Sequence, residues 1–159
     1  MNADRFTLDT NILIYSIDAT AGRRHTLAVD IIERAISVAS CLTLQAVSEF
    51  FAATTRKGLL PRERAAVMAA TWLNMFPIVC ASAGAVSVAL EHVLAGRTSY
   101  WDGLIIATAA EAGCSAILTE DMADGTILSG IQVINPFAGP GLSDAADRLL
   151  SPSPPAGQM

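Results

Sequence analysis

A chain of 159 residues, 52% of them hydrophobic and 16% charged, has the length of one domain and enough apolar content for one sizeable core. Its net charge of −5 makes the surface as a whole a poor match for nucleic-acid phosphates, so binding of that kind would need basic residues gathered locally. A mean hydropathy of +0.46 raises the question of a membrane span. The longest stretch without a charge, between Arg64 and Glu91, answers it: Asn74, Pro77, Ser82, Gly84 and Ser87 break it, so it reads as helix, strand, helix. At the start, Asn2-Ala3-Asp4-Arg5 leads straight into a strand-like run without a signal-peptide pattern. A cytoplasmic protein with no membrane partner is expected. Cys41, Cys80 and Cys114 show neither zinc nor redox spacing, and their apolar neighbours predict buried, reduced thiols.

In chain order, the first predicted strand is Arg5 to Leu8, followed by a short helix from about Asn11 to Asp18. Gly22 marks a loop. A helix from about His25 to Ala39 carries Leu27, Ile31, Ile32, Ala35 and Ile36 on one face. Cys41-Leu42-Thr43 is a brief strand, and the helix from about Gln45 to Arg56 ends at Lys57-Gly58, a basic-then-glycine stop. Pro61 opens a helix reaching about Met75. Ile78-Val79 is a short strand, Ala83 to Leu94 a helix, and Ser99 to Ala112 another, closed by Gly113. Ala116 to Thr119 is a strand, residues 121 to 126 a turn, and Ile131 to Ile134 the last strand. Strands alternating with helices define an α/β protein with a mostly parallel sheet. Residues 1–138 form the expected domain. Residues 139–159 read as a low-complexity tail, expected to be disordered apart from a possible short helix over 143–150.

Acids fall on this map in a pattern. Asp9 follows the first strand, Glu49 lies early in the helix after Cys41-Leu42-Thr43, Asp102 opens the helix after Ser99, and Asp121 follows the strand at 116. Open parallel sheets bind ligands at the carboxyl ends of their strands, where the chain order reverses, so all four carboxylates can reach one edge. Each also has a plain structural reading. Asp9 can cap the helix that follows it. Asp102 completes a capping box with Ser99, Asp121 can complement a turn or a helix dipole, and Glu49 can be a solvated helix residue. Their neighbours decide against the plain readings taken together. Acids framed by Phe6, Leu8, Ile12, Phe50, Leu104 and Ile105 will be partly buried, which is costly without a counter-charge. With few cationic side chains to hand, a divalent metal is the economical partner.

The segments Leu8-Asp9-Thr10-Asn11-Ile12-Leu13-Ile14-Tyr15, Val47-Ser48-Glu49-Phe50, Ser99 to Ala107 and Leu118-Thr119-Glu120-Asp121-Met122 resemble, in order and spacing, the four acidic motifs of PIN domains, in particular those of VapC-like toxins. The closing Ile134-Asn135-Pro136-Phe137 is similar to their last strand and exit. This resemblance implies a PIN-like three-layer fold, with a five-stranded parallel sheet flanked by helices. It implies a ribonuclease in which Asp9, Glu49, Asp102 and Asp121 bind Mg²⁺ or Mn²⁺ and leave a 5′-phosphate and a 3′-hydroxyl. Asn11 and Thr119, at polar positions of the motifs, would orient ligands or water, with Asp124 as an extra acid. A cognate antitoxin and a homodimer are the implied protein partners. The sequence departs from the pattern at Gly103, where an alanine is frequent, which is expected to loosen that helix slightly.

Arg56, Lys57, Arg62 and Arg64 supply the local basic cluster for contact with RNA, against the alternative of a solvated turn. Trp72 reads as core, whereas Tyr100 and Trp101, beside Asp102, are open to either role. His25 and His92 lack metal spacing and read as structural. Two other functions fit less well. A haloacid-dehalogenase-like phosphatase needs a second Asp where Asn11 stands, and a lysine other than Lys57. A catalytically silent binding module on the same fold is distinguished by metal titration.

Overall fold

The computed structural model describes residues 4–155 and 157. Strand β1 (Phe6–Leu8) is buried on both faces, and its run of apolar and β-branched residues is what a central parallel strand requires. Helix α1 (Thr10–Tyr15) follows directly. A single 3₁₀ turn at Ala19–Ala21 then leads to α2 (Arg23–Ala35). Next come β2 (Ser40–Thr43), α3 (Leu44–Arg56), α4 (Arg62–Met75), β3 (Ile78–Val79), α5 (Ala83–Leu94), α6 (Tyr100–Glu111) and β4 (Ala116–Leu118). The chain closes with β5 (Ile127–Leu128), β6 (Ile131–Ile134) and α7 (Asp144–Leu150).

The strands form one sheet in the order β3-β2-β1-β4-β6-β5. Five of them run parallel, as expected, and a sixth is added: β5 pairs antiparallel with β6 through Ile127↔Gln132 and Leu128↔Ile131. The extra strand has only two residues, and Ile127 is exposed, so it carries no alternation to read. Ser129 and Gly130, both at positive φ, turn the chain between β5 and β6 as a two-residue hairpin loop demands.

The chain order reverses at β1. β2 and β3 lie to one side of it, β4 and β6 to the other. The reversal opens a crevice beyond the carboxyl ends of β1 and β4, held in register by the bond from the Asp9 backbone N–H to the Leu118 carbonyl at 3.0 Å. Beneath it, Phe6, Leu8, Ile12, Leu42, Phe50, Ile106 and Ile117 form the centre of the main core. Trp72 is buried edge-on against Phe50, as its sequence context suggested. A smaller core of Ala85, Ala89, Leu104 and Ala107 joins α5 to α6.

Two expectations need correction. The packed unit runs past residue 138: α7, capped by the Ser143 hydroxyl, buries Ala146 and Leu150 in the main core, and Asp147 pairs with Arg34 of α2 at 2.9 Å. A short amphipathic helix with a good cap can dock even when composition on either side of it is tail-like. The thiols are not alike either. Cys41 and Cys114 are buried with their sulfurs 3.5 Å apart, but Cys80 is exposed just beyond the short β3. Among the described residues, no helix is long and apolar enough to cross a membrane.

Candidate active site

Asp9 occupies the first position after β1, where the strand stops and α1 begins, and its side chain is only 7% exposed. It caps α1, with Oδ1 accepting the Thr10 N–H at 2.7 Å. The other oxygen faces β4. Oδ2 accepts the Thr119 hydroxyl at 2.7 Å and, more distantly, the Asn11 amide at 3.5 Å. Asn11 also donates to Thr119 Oγ1 at 3.1 Å, and Thr119 Oγ1 accepts the Asp121 N–H at the same distance. One oxygen of Asp9 thus caps the helix while the other is held from β4.

Glu49 reaches the same edge from α3, where Thr10 donates its hydroxyl to Oε2 at 2.9 Å and Gln45 donates to Oε1 at 3.0 Å. Asp102 stands in the first turn of α6. Its backbone N–H donates to the Ser99 hydroxyl at 3.3 Å, so half of the expected capping box is made. The Asp102 carboxylate lines a cleft with Ser99 and Asp121, and the Ser99 hydrogen bond opposes the rise that burial causes in it. Asp121, exposed after β4, lines both this cleft and a larger one of about 470 Å³ that also takes in Thr10, Asn11, Tyr15 and Glu49.

Burial is the main force on the charge of these groups. It pushes Asp9 up to about 6, with the Thr119 and Thr10 hydrogen bonds opposing and the charges of Asp102 and Asp121 adding to the rise. Asp102 is raised as well, chiefly by burial, with Asp121 and Glu49 contributing through charge repulsion. That mutual repulsion places four acids in one electrostatic neighbourhood. No cationic side chain neutralises them: among the described residues the ion pairs are Arg24–Glu120, Arg34–Asp30 and Arg34–Asp147.

The other predicted residues divide. Arg56 and Lys57 line the larger cleft together with Glu49 and Asp121, whereas Arg62 and Arg64 sit exposed at the start of α4 and do not line it. Asp124 is drawn away from the cluster. Its Oδ1 accepts the Asn135 N–H at 2.8 Å, tying the loop after β4 to the exit of β6, and it lines neither cleft. Of the aromatics beside Asp102, Trp101 is 59% exposed and packs edge-on with Tyr100. His25 bonds to the Tyr15 carbonyl and His92 to the Ser129 hydroxyl, both structural contacts.

Two contributors escaped the sequence reading. Gln45 sits one helical turn before Glu49, a spacing that could have flagged it. Glu120 was read only as a neighbour of Asp121. It accepts the Tyr15 hydroxyl at 2.7 Å and the Arg24 guanidinium at 2.6 Å, which anchors the loop carrying Asp121 to α1 and α2. The Tyr15 phenol is held above its ordinary range by burial first and by this carboxylate second. Nothing before the fold brings residues so far apart in the chain together.

The donor set suits a hard cation. All the convergent ligands are oxygens, the acids lack a counter-charge, and the Asn11 Oδ1 is buried without a donor. As the side chains stand, among the described residues no three His, Cys, Asp or Glu groups close into a metal cage. A cation held by one or two carboxylates that keeps much of its water shell, as Mg²⁺ does, needs no such cage.

A PIN domain family model matches residues 6–123, and the chain belongs to that family. The structure resembles VapC20 of Mycobacterium tuberculosis, a sarcin-ricin loop cleaving toxin, with a TM-score of 0.61 at 18% identity over 73% of this chain and 89% of that one. It resembles VapBC2 of Rickettsia felis, solved on a promoter DNA fragment (TM-score 0.59, 15% identity, 81% and 96% covered). A toxin-antitoxin complex of Klebsiella pneumoniae is similar too (0.55, 23%, 79% and 93%). At these identities the likeness is one of fold. No curated protein sequence matches.

Proposed function

We propose that this chain is a divalent-metal-dependent endoribonuclease and the toxin of a toxin-antitoxin pair. The observation that carries the reading is Asp9: a buried carboxylate at the point where the sheet order reverses, oriented by Thr10, Asn11 and Thr119, beside three further acids and no cation. Such a site is destabilising for the fold and is kept only where a ligand offsets the charge. Membership of the PIN family and the toxins of like fold support the same reading.

Asp9 and Asp102 would be the principal holders of Mg²⁺ or Mn²⁺, with Glu49 and Asp121 completing the set. The cation, when bound, supplies charge stabilisation at the phosphodiester and a lowered pKa for water. This chain's own residues do the rest. Thr119 and Thr10 fix the Asp9 carboxylate, Glu49 is held by Thr10 and Gln45, and the Asp121 N–H is pinned by Thr119. The larger cleft is lined by Glu49 and Asp121 and also by Arg56 and Lys57, a set that suits an RNA strand with its scissile phosphate at the acids and a neighbouring phosphate at the bases. Arg62 and Arg64 would act on encounter rather than in the cleft. An antitoxin segment covering the acidic end belongs to the same proposal, supported by the Rickettsia and Klebsiella toxin-antitoxin structures, and self-association into a homodimer is its further part.

One observation favours a second reading, a silent binding module: the acids do not close into a cage as they stand. Titration with Mn²⁺ separates the two. Binding that Asp9→Asn abolishes, with RNA cleavage stopped by EDTA, is the expected result. Cleavage indifferent to EDTA and to Asp9→Asn would end the nuclease proposal. Charge reversal at Arg56 and Lys57 should flatten the salt dependence of RNA binding more than reversal at Arg62 and Arg64.

A further inference from the structure

Gln45 stands in the first turn of α3 with Glu49 four residues on, so both side chains leave the same face of the helix. Its amide nitrogen makes two bonds at once: to Glu49 Oε1 at 3.0 Å and to the Trp101 carbonyl oxygen at 3.0 Å. Trp101 immediately precedes Asp102 on α6. This is the side-chain hydrogen bond that joins α3 to α6 among the described residues. Both acceptors are oxygens, so the amide can only be oriented with its nitrogen toward them. The remaining amide oxygen is buried with no donor in reach. A glutamine at a half-buried position that leaves its oxygen unpaired to keep two N–H bonds is being held by those bonds.

The two contacts complete a belt. Asp9 accepts from Thr10, the Thr10 hydroxyl donates to one oxygen of Glu49, Gln45 donates to the other, and Gln45 ends on the backbone next to Asp102. Remove Gln45 and the Glu49 carboxylate keeps a single tether, on the α1 side. Nothing else on α3 then ties it to the helix that carries Asp102.

We propose that Gln45 is a positioning residue that sets Glu49 relative to Asp102, fixing the spacing of the acids across the crevice. Its consequence for a bound cation rests on the nuclease reading above; its geometry does not. A carboxylate free to rotate contributes less to holding a cation, because the ordering lost on binding is greater.

Gln45→Met keeps the side chain's length and removes both donors. In the full chain, Mn²⁺ affinity measured by calorimetry should fall roughly tenfold in this variant, consistent with the usual cost of losing a group that orients a metal ligand. In a Glu49→Gln background the same substitution should have little further effect, because Gln45 acts through Glu49. Where RNA is cleaved, kcat should fall while KM stays near that of the unaltered chain. Independently of metal, the Gln45 side-chain amide protons should exchange with solvent more slowly than those of the exposed Gln132, measured by NMR on the metal-free protein. Unchanged Mn²⁺ affinity in Gln45→Met, or an equal loss with and without Glu49, overturns the proposal. If the unaltered chain binds no Mn²⁺, the nuclease reading fails alone and amide exchange decides Gln45: protection sustains its positioning role, and exchange as fast as that of Gln132 overturns it.

Discussion

The crevice beyond β1 and β4 and the α5–α6 pair are built on opposite principles. At the crevice a carboxylate is buried against Thr119, Thr10 and Asn11, with like charges nearby and an amide oxygen left unpaired. Between α5 and α6 the buried contact is made of Ala85, Ala89, Leu104 and Ala107, and a charged group at its edge, Glu111, is exposed and accepts the Ser82 hydroxyl. The first region lowers stability by burying like charges, and the second contributes apolar packing with a polar tie at its edge. Substitutions should therefore act in opposite directions in the two regions.

The largest effect is expected from Asp9→Asn. RNA cleavage should drop at least about a hundredfold, the usual scale for losing a group that stabilises transition-state charge. Metal-free stability should rise instead. Asp9 is raised from 3.8 to about 6, and at about 1.4 kcal/mol per unit the buried charge costs the fold up to about 3 kcal/mol at neutral pH. The folded chain holds the proton more tightly than the unfolded one, so stability is greatest below 3.8 and is lost as pH rises to about 6. Urea unfolding across that window should show the decline in the unaltered protein and a smaller one in Asp9→Asn. Saturating Mn²⁺ should reverse the ranking by stabilising only the chain that binds it. A variant less stable than the parent at pH 7.5 without metal would contradict the account of Asp9.

Next in size, Ala89→Leu forces three more carbon atoms into the close contact between α5 and α6. It should cost about 1–3 kcal/mol in thermal or urea unfolding, while cleavage by the folded fraction stays near that of the parent. The smallest effect is expected at Gly103. A Cβ there would lie 3.2 Å from the Thr98 methyl and 3.4 Å from the Ala89 Cα. The gain in helix propensity, about 1 kcal/mol, is set against that crowding, so Gly103→Ala should change stability by less than about 1 kcal/mol. The crowding at Gly103 comes from the Thr98 methyl just before α6, while Ala89 across the helix interface lies at ordinary contact distance.

Much of this molecule is legible along the chain because its signals are local. Five parallel strands and the helices between them follow from apolar periodicity and glycine stops, which place Asp9 and Asp121 just after strands and Glu49 and Asp102 early in helices. What was missed is short or relational. Two-residue β5 has too few side chains to alternate, and α7 docks through Ala146 and Leu150 from within a stretch whose composition reads as tail. The bond by which Asp124 ties the loop after β4 to Asn135 is likewise relational.

The sequence by itself determined the α/β class, the order of the elements and the set of acids, since these depend on which residues neighbour one another in the chain. Only the tertiary structure decided which distant partners meet at the acids. Thr119 reaches Asp9 across 110 positions, and Gln45 reaches the backbone beside Asp102 across 56. Partners so distant meet only when the sheet order reverses at β1, and the reversal is a property of strand pairing rather than of any segment.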